Sequence, residues 1–476
     1  MSNETTVLPL LFNSYYGTGG FEFGAQDGAL EGQADTRVGS YLVKHPREHE
    51  DSYNARRKVA YYLNYMAPVV DSHVSPLFRR EAERKVVSSS AEELWAAFAE
   101  DADGAGSSLA QVMREAAMPA KRDGACWQVV TAPEVAPANR AQALKIKPYI
   151  YRVEALDVVD LKRDRFGRVV SISHLESREG EDRPVIRTLT PSGWSVANDK
   201  GEALESGEFP KAYPTAPVVE ICTGAKVRGV KLPRSGFVSI ARACHRLFNL
   251  CSELDEMFRA QTFSILLYPA KNLEGLTIGV NNALGFDGEG KHAPAFIAPP
   301  DGPAKLLMEQ IDRLVREIYR MALLTHQTGT TSPQQVQTVM SGVALRIDRE
   351  ALDTALGDFA ATLEKAEMQV AALWSWWTNE TLEYSVGYPR DFVLQDESAM
   401  LQPLMDAFTT LAQGMPEPLR AGLLERIGAI LLEDDQERLE ELRDALDQAA
   451  IDATNTPPSQ DGQVQDQTTA DGNSAA

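Results

Sequence analysis

Five residues, HPREH at His45–His49, carry the most recognisable chemistry in the chain. They match H-x-x-E-H, in which two histidines on one helical face bind zinc and the glutamate acts as general base. On that pattern His45 and His49 are the ligands and Glu48 the base of a zinc-dependent hydrolase. Pro46 inside the motif marks a helix start, and no third ligand is indicated. Solvated residues ahead of a helix are therefore the competing reading. Cys244, His245 and Cys251 form a second group of metal-ligating types. Their spacing puts both cysteines on an apolar seam and His245 off it, as expected of small buried thiols. The sequence contains no G-x-x-x-x-G-K-[ST] loop, no dinucleotide fingerprint and no G-x-S-x-G elbow. YYGTGGFEFG at Tyr15–Gly24 is glycine-rich but joins no strand to a helix. The expectation is a protein without catalysis, cofactor or metal.

A different signal lies between Arg320 and Arg346, where no Lys, Arg, Asp or Glu occurs. Charged amphipathic helices flank it on both sides. Its middle holds Thr325, His326, Gln327, Thr328, Gly329, Thr330, Thr331, Ser332, Gln334 and Gln335. Gly329 permits unusual dihedrals. Ser332 suits an N-cap, with Pro333 at the first helical position.

The elements that would hold this loop follow from composition and period. The chain has 476 residues, 43% hydrophobic and 24% charged, with a net charge of −21. That length suits two to four domains, and the acidity argues against tight gripping of nucleic acid. No apolar run approaches the roughly 18–20 residues of a membrane span. No basic-then-apolar leader opens the sequence, and four unpaired cysteines fit a reducing site of synthesis.

Residues 1–40, rich in Gly and Ser, read as an extended arm. A helix is expected over about 51–80, kinked at Pro68. A second helical region follows at about 91–118, broken at DGAGSS. From about Cys126 to Ile221, alternating Val- and Ile-rich runs separated by turns predict an antiparallel β domain. Ile240, Cys244, Leu247, Cys251, Leu254 and Phe258 then form a heptad-like seam. A Gly/Asn/Pro-rich insert precedes an amphipathic helix at about 304–324. The longest helix spans about 333–378, an acidic helical region about 397–450, and a low-complexity disordered tail ends the chain. The fold class is α+β, mainly helical.

This order of helix, small insert, returning helix, loop and very long helix resembles a tailed-bacteriophage portal protein, the head-to-tail connector family. HEDSYNARRKVAYYLNYMAPVVDSHVSPLFR, MEQIDRLVREIYRMA and SGVALRIDREALDTALGDFAATLEKAEMQVAALWSWW carry the likeness. It implies a flexible N-terminal arm (1–40), a wing with the β domain (41–235), stem helices (236–262 and 304–325) and a clip (263–303). It also implies a tunnel loop (326–337), a long wing/tunnel helix (338–384), a helical crown (385–450) and a disordered tail (451–476). Portal proteins form rings, usually of twelve copies, at one capsid vertex, and double-stranded DNA passes through them during packaging and ejection.

The implied partners are other copies of the chain, the terminase large subunit, the major capsid or scaffolding protein and a head–tail adaptor, with no membrane. The implied location is the virion, after assembly in the host cytoplasm. The neutral segment would line the bore and brush passing DNA without gripping it, since each neutralised phosphate strengthens binding. Twelve copies would carry a charge on the order of −250 before screening. The stem residues Arg242, Arg246, Glu253, Arg313, Arg316 and Arg320 are expected at subunit contacts or the channel, with subunit pairing favoured. A head–tail adaptor ring protein is the other structural reading, disfavoured because adaptors are usually much shorter than this chain.

Overall fold

The computed structural model describes residues 4–21, 41–87, 91–132, 147–178, 183–262, 265–267, 295–297, 302–324, 342–390, 392, 422 and 424. The chain divides into Met1–Phe392 and Val393–Ala476. The first of these is described below. The expected acidic helices and tail fall in the second, outside the described residues except at 422 and 424.

Helix α1 occupies Glu4–Tyr16, within the span expected as an extended arm. Leu11 is 1% exposed, and Val7, Leu8, Leu10 and Tyr15 pack on the same core. Burial of this apolar face makes the segment a docked helix, although the glycines after it had suggested an arm. The expected kinked helix is instead two helices, α2 (Glu50–Val59) and α3 (Met66–Ser72). Pro68 does not kink a helix. It lies in the first turn of α3, where its missing amide costs nothing. Asn64 Oδ1 accepts the Ala67 amide at 3.0 Å and starts that turn.

Strand β1 (Glu83–Val86) leads to α4 (Glu92–Glu100) and α5 (Leu109–Asp123). Ser108 caps α5 through the Gln111 amide, and Gly124 at φ 97° ends it. At Gly124 an added Cβ would lie 2.8 Å from the Ser235 amide nitrogen.

The β domain is two antiparallel sheets. In one, β2 (Ala125–Thr131) lies between β3 (Tyr149–Glu154) and β9 (Val218–Cys222). The other is a meander of β4 (Val158–Arg163), β5 (Val169–Glu176), β6 (Val185–Leu189), β7 (Gly193–Ala197) and β8 (Ala203–Glu208). The central strand β2 is buried on both faces. Cys126 and Val130 join the helical core, while Ala125, Trp127 and Val129 join the core shared with the meander. Period-2 geometry requires this division and explains why β2 reads as a continuous apolar run.

Helices α6 (Val238–Thr262), α7 (Gly302–Met321) and α8 (Gly342–Thr378) complete the helical part. In α8, Leu356, Phe359, Leu363, Val370 and Trp374 are buried against the helical core. Trp377 Nε1 donates to Val130 O at 2.8 Å, fixing the end of α8 to β2. Strand β12 (Tyr384–Gly387) then returns to pair antiparallel with β1, Glu83 opposite Gly387. Residues 385–387, expected in the crown, thus belong to this ribbon.

The Glu367 carboxylate beneath the ribbon is fully buried. It accepts from Arg84 Nε at 2.7 Å, from Tyr388 Oη at 2.7 Å and from Tyr384 Oη.

Candidate functional site: the paired helices and their anchors

Helices α6 and α7 pack together as an antiparallel pair. At one end, short strands β10 (Ile265–Leu267) and β11 (Ala295–Ile297) continue them and pair with Ile265 opposite Ile297. The expected seam holds over most of its length. Ile240, Cys244, Leu247 and Cys251 are buried, whereas Phe258 is 42% exposed. On α7, Ile318 is buried and Ile311, Leu314 and Val315 pack partly covered on the same core.

The other end is fixed by His73 from α3. Its ring donates through Nε2 to Ala322 O at 2.8 Å and meets the Phe237 ring edge-on at 5.3 Å. One side chain thus ties the last carbonyls of α7 to the start of α6. The Leu324 amide donates back to Tyr319 O at 2.9 Å, with Leu323 at φ 58°. This is a Schellman-type stop with leucine where glycine is usual. The chain direction on leaving α7 is therefore set one residue before Thr325. Thr325, His326, Gln327, Thr328, Gly329, Thr330, Thr331, Ser332, Gln334 and Gln335 lie outside the described residues.

Burial first, then the Lys121 charge, lowers His73 from 6.5 to about 4. Between those values the unfolded chain takes up a proton that the folded one refuses. His73 therefore withdraws roughly 3 kcal/mol of stability as pH falls from 6.5 to 4. Urea midpoints across that range should flatten in His73→Asn, which keeps a donor toward Ala322.

The charged residues on α6 and α7 face outward. Arg242, Arg246 and Glu253 are exposed on α6, as are Arg313, Arg316 and Arg320 on α7. Arg320 Nη2 pairs with Glu317 at 2.6 Å, and Arg316 Nε donates to Asp312 O at 3.3 Å. Arg242, Arg246, Glu253 and Arg313 make no ion pair among the described residues.

The H-x-x-E-H reading is corrected by geometry. His49 is the N-cap of α2, its Nδ1 accepting the Asp51 amide at 3.4 Å, and His45 lies in the preceding turn. The two histidines therefore do not share a helical face. Glu48 is held by Arg56, Nε to Oε1 at 2.8 Å and Nη2 to Oε2 at 2.7 Å, so it is not a free base. That hydrogen bonding holds the Glu48 carboxyl below the usual carboxylate range. Its contribution is present above that range and is lost as pH falls through the lowered value.

Arg56 also donates to Val43 O at 3.0 Å and Ser252 Oγ at 3.2 Å. Asn249 accepts the Val43 amide at 2.7 Å and donates to Tyr41 O at 3.0 Å. His245 Nε2 donates to Tyr41 O at 2.7 Å. His45–Glu48 thus end a strap, residues 41–48, clamped along α6, and His49 begins α2. Cys244 and Cys251 are buried, and burial pushes their thiols up to about 12 and about 11. They act as core hydrophobes, and the described residues contain no cluster of metal ligands.

Sequence reading missed the strap, the His73 bridge and the Glu367 network. Each joins residues far apart in the chain, such as His73 with Ala322, and no local period signals such a pair.

No known family profile and no curated protein matches the chain. Among solved structures it is similar to a chain in the neck of an empty GTA particle computed with C6 symmetry, with TM-score 0.42 and 9% identity. Similar chains occur in the virion of a native gene transfer agent (GTA) particle, at 0.41 and 11%, and in the neck of a native GTA particle computed with C12 symmetry, at 0.41 and 9%. Each match covers 75% of this chain and 89% of the other. Similarity at that level assigns no function, which rests on the residues of this chain.

Proposed function

We propose that the chain is the portal subunit of a tailed bacteriophage, a ring usually of twelve copies at one capsid vertex. Double-stranded DNA passes through the ring during packaging and ejection. The observation that carries this reading is the α6–α7 pair. Two amphipathic helices, about 37 Å and 30 Å long, run antiparallel and end in paired strands. The segment after α7 leads into a helix of 37 residues. On this reading the pair is the stem, residues 263–303 form the clip that seats the terminase and later the adaptor, and 326–337 is the tunnel loop. The chain holds the bore open without catalysis, and ATP hydrolysis belongs to the docked motor. An adaptor ring is the second structural reading, disfavoured by length.

Electron microscopy of the purified protein tests the assembly. Rings with a bore of about 20–40 Å are expected, on the scale of a few helix diameters. A monodisperse monomer under all conditions of salt and concentration would overturn the reading.

The tunnel loop makes a second expectation. Changing Gly329, Thr330 and Thr331 together to lysine should leave rings intact and cut DNA filling of heads by roughly tenfold or more, because each cation near phosphate adds salt-dependent binding. Unchanged filling would remove these residues from the bore.

A further inference from the structure

A groove of about 820 Å³ runs along the outer face of α6, between that helix and the strap. Arg242 and Arg246 line one half, and Glu253, Glu256 and Met257 line the other. The α6 wall of the groove is thus basic toward the end tied by His73, acidic beyond its middle and apolar near Met257, while the facing wall carries Lys44, His45, Glu48 and Arg56. We propose that it receives α7 of a second copy of this chain, through the stripe Leu306, Gln310, Arg313 and Glu317. The proposal rests on the ring reading and assigns which face of each subunit closes the ring.

Two anchors fix the relative heights of the helices. His73 touches both Phe237 and Ala322 at one end, and Ile265 pairs with Ile297 at the other. Residues of α6 and α7 whose numbers sum to about 559 near the His73 end and about 562 near the paired strands therefore lie at one level. Each residue off that sum is a displacement of about 1.5 Å. A rotation about a ring axis moves no atom along the axis. For helices running along the axis, a residue meets the neighbouring copy at its own height.

Glu317 then lies level with Arg242 and within about a turn of Arg246. Leu306 lies level with Met257, and Gln310 with Glu253. Arg313 falls about a turn from Glu253, within reach of its long side chain. Leu306 is 67% exposed, an apolar side chain on the outer face of a charged helix. Met257 and Leu307 give it an apolar seat.

The adjoining stripe of α7 gives the opposite outcome at the same heights. Arg320 would come within a turn of Arg242 and Arg316 within a turn of Arg246, Glu309 would stand level with Glu253, and Asp312 would fall about a turn from it. Like charges at all three groove positions exclude that face from the groove, since such juxtaposition costs several kcal/mol. Charge order thus selects one of two neighbouring stripes, and a head-to-tail contact of this kind closes into a ring.

The test uses the full-length chain. Arg246→Glu should raise the protein concentration for half-assembly by about tenfold or more, and Arg246→Glu with Glu317→Arg should restore it. Met257→Cys with Leu306→Cys, oxidised, should give a ladder of covalent oligomers on a non-reducing gel, and neither single variant should. If wild-type rings form, but the double cysteine variant yields no ladder and the charge swap restores nothing, this face is wrong and the portal reading stands. If the wild-type chain never forms rings, both fall.

Discussion

Replacing Glu367 with alanine lowers the unfolding free energy by about 3–5 kcal/mol, the cost of stripping one partner from a buried ion pair. The carboxylate is fully buried and serves three donors at once. Without it the Arg84 guanidinium loses both its bonds, at 2.7 and 3.1 Å, and two tyrosine hydroxyls lose their acceptor. The Tyr388 hydroxyl is kept protonated by burial and then by the adjacent charge of Glu367, so it cannot take over as an anion. Tyr388→Phe removes a single hydrogen bond to a charged group and costs about 1.5–3 kcal/mol. Urea denaturation followed by tryptophan fluorescence measures both. An E367A midpoint equal to wild type would show that the network is not holding the ribbon to α8.

Arg122→Ala has a comparable effect by a different route. The Arg122 guanidinium is fully buried, 2.6 Å from Asp123 and 2.8 Å from Glu154. Burial pushes the Asp123 carboxyl up, and the hydrogen bond and charge of Arg122 oppose that. The rings of Phe12, Tyr15 and Tyr16 lie over the same guanidinium, with centroids at 4.8, 5.8 and 5.4 Å. Removing the cation strands a buried carboxylate and takes the floor from under α1. The expected cost is again about 3–5 kcal/mol, and α1 should open before the rest of the fold. Limited proteolysis within residues 4–21 should quicken by roughly tenfold, as expected when local opening becomes about 1.4 kcal/mol easier. Arg122→Lys should not rescue it, because an ammonium cannot reproduce the two-pronged contact. Unchanged cleavage would separate α1 docking from Arg122.

The features read correctly from the sequence were those written in one stretch of it. Ile240, Cys244, Leu247 and Cys251 recur at helical spacing and are buried. The alternating runs from Cys126 to Ile221 became strands in the expected antiparallel arrangement. The break at DGAGSS separates α4 from α5. The misread features depend on distant partners. Residues 4–16 form a helix because α3, α5 and α6 offer it a surface. The pattern HPREH resembles a metal motif, yet Arg56 occupies its glutamate and α2 uses its second histidine as a cap. The strand at Tyr384–Gly387 is four residues long and is defined by a partner about 300 positions earlier. The charges on α6 and α7 were visible as types. Which of them stand level required the two anchors at the ends of the pair.

Because β1 and β12 are joined, the chain closes a clasp on itself. It departs at Val86 and comes back at Tyr384 beside the point of departure. Topologically, everything between is an insertion into that clasp. The paired strands at the far end of α6 and α7 act as a second, smaller clasp around residues 268–294. Nested closures of this kind let the enclosed stretch of sequence change length or composition while each outer frame keeps its own registry. Changes confined to residues 268–294 thus leave the registry of both clasps untouched.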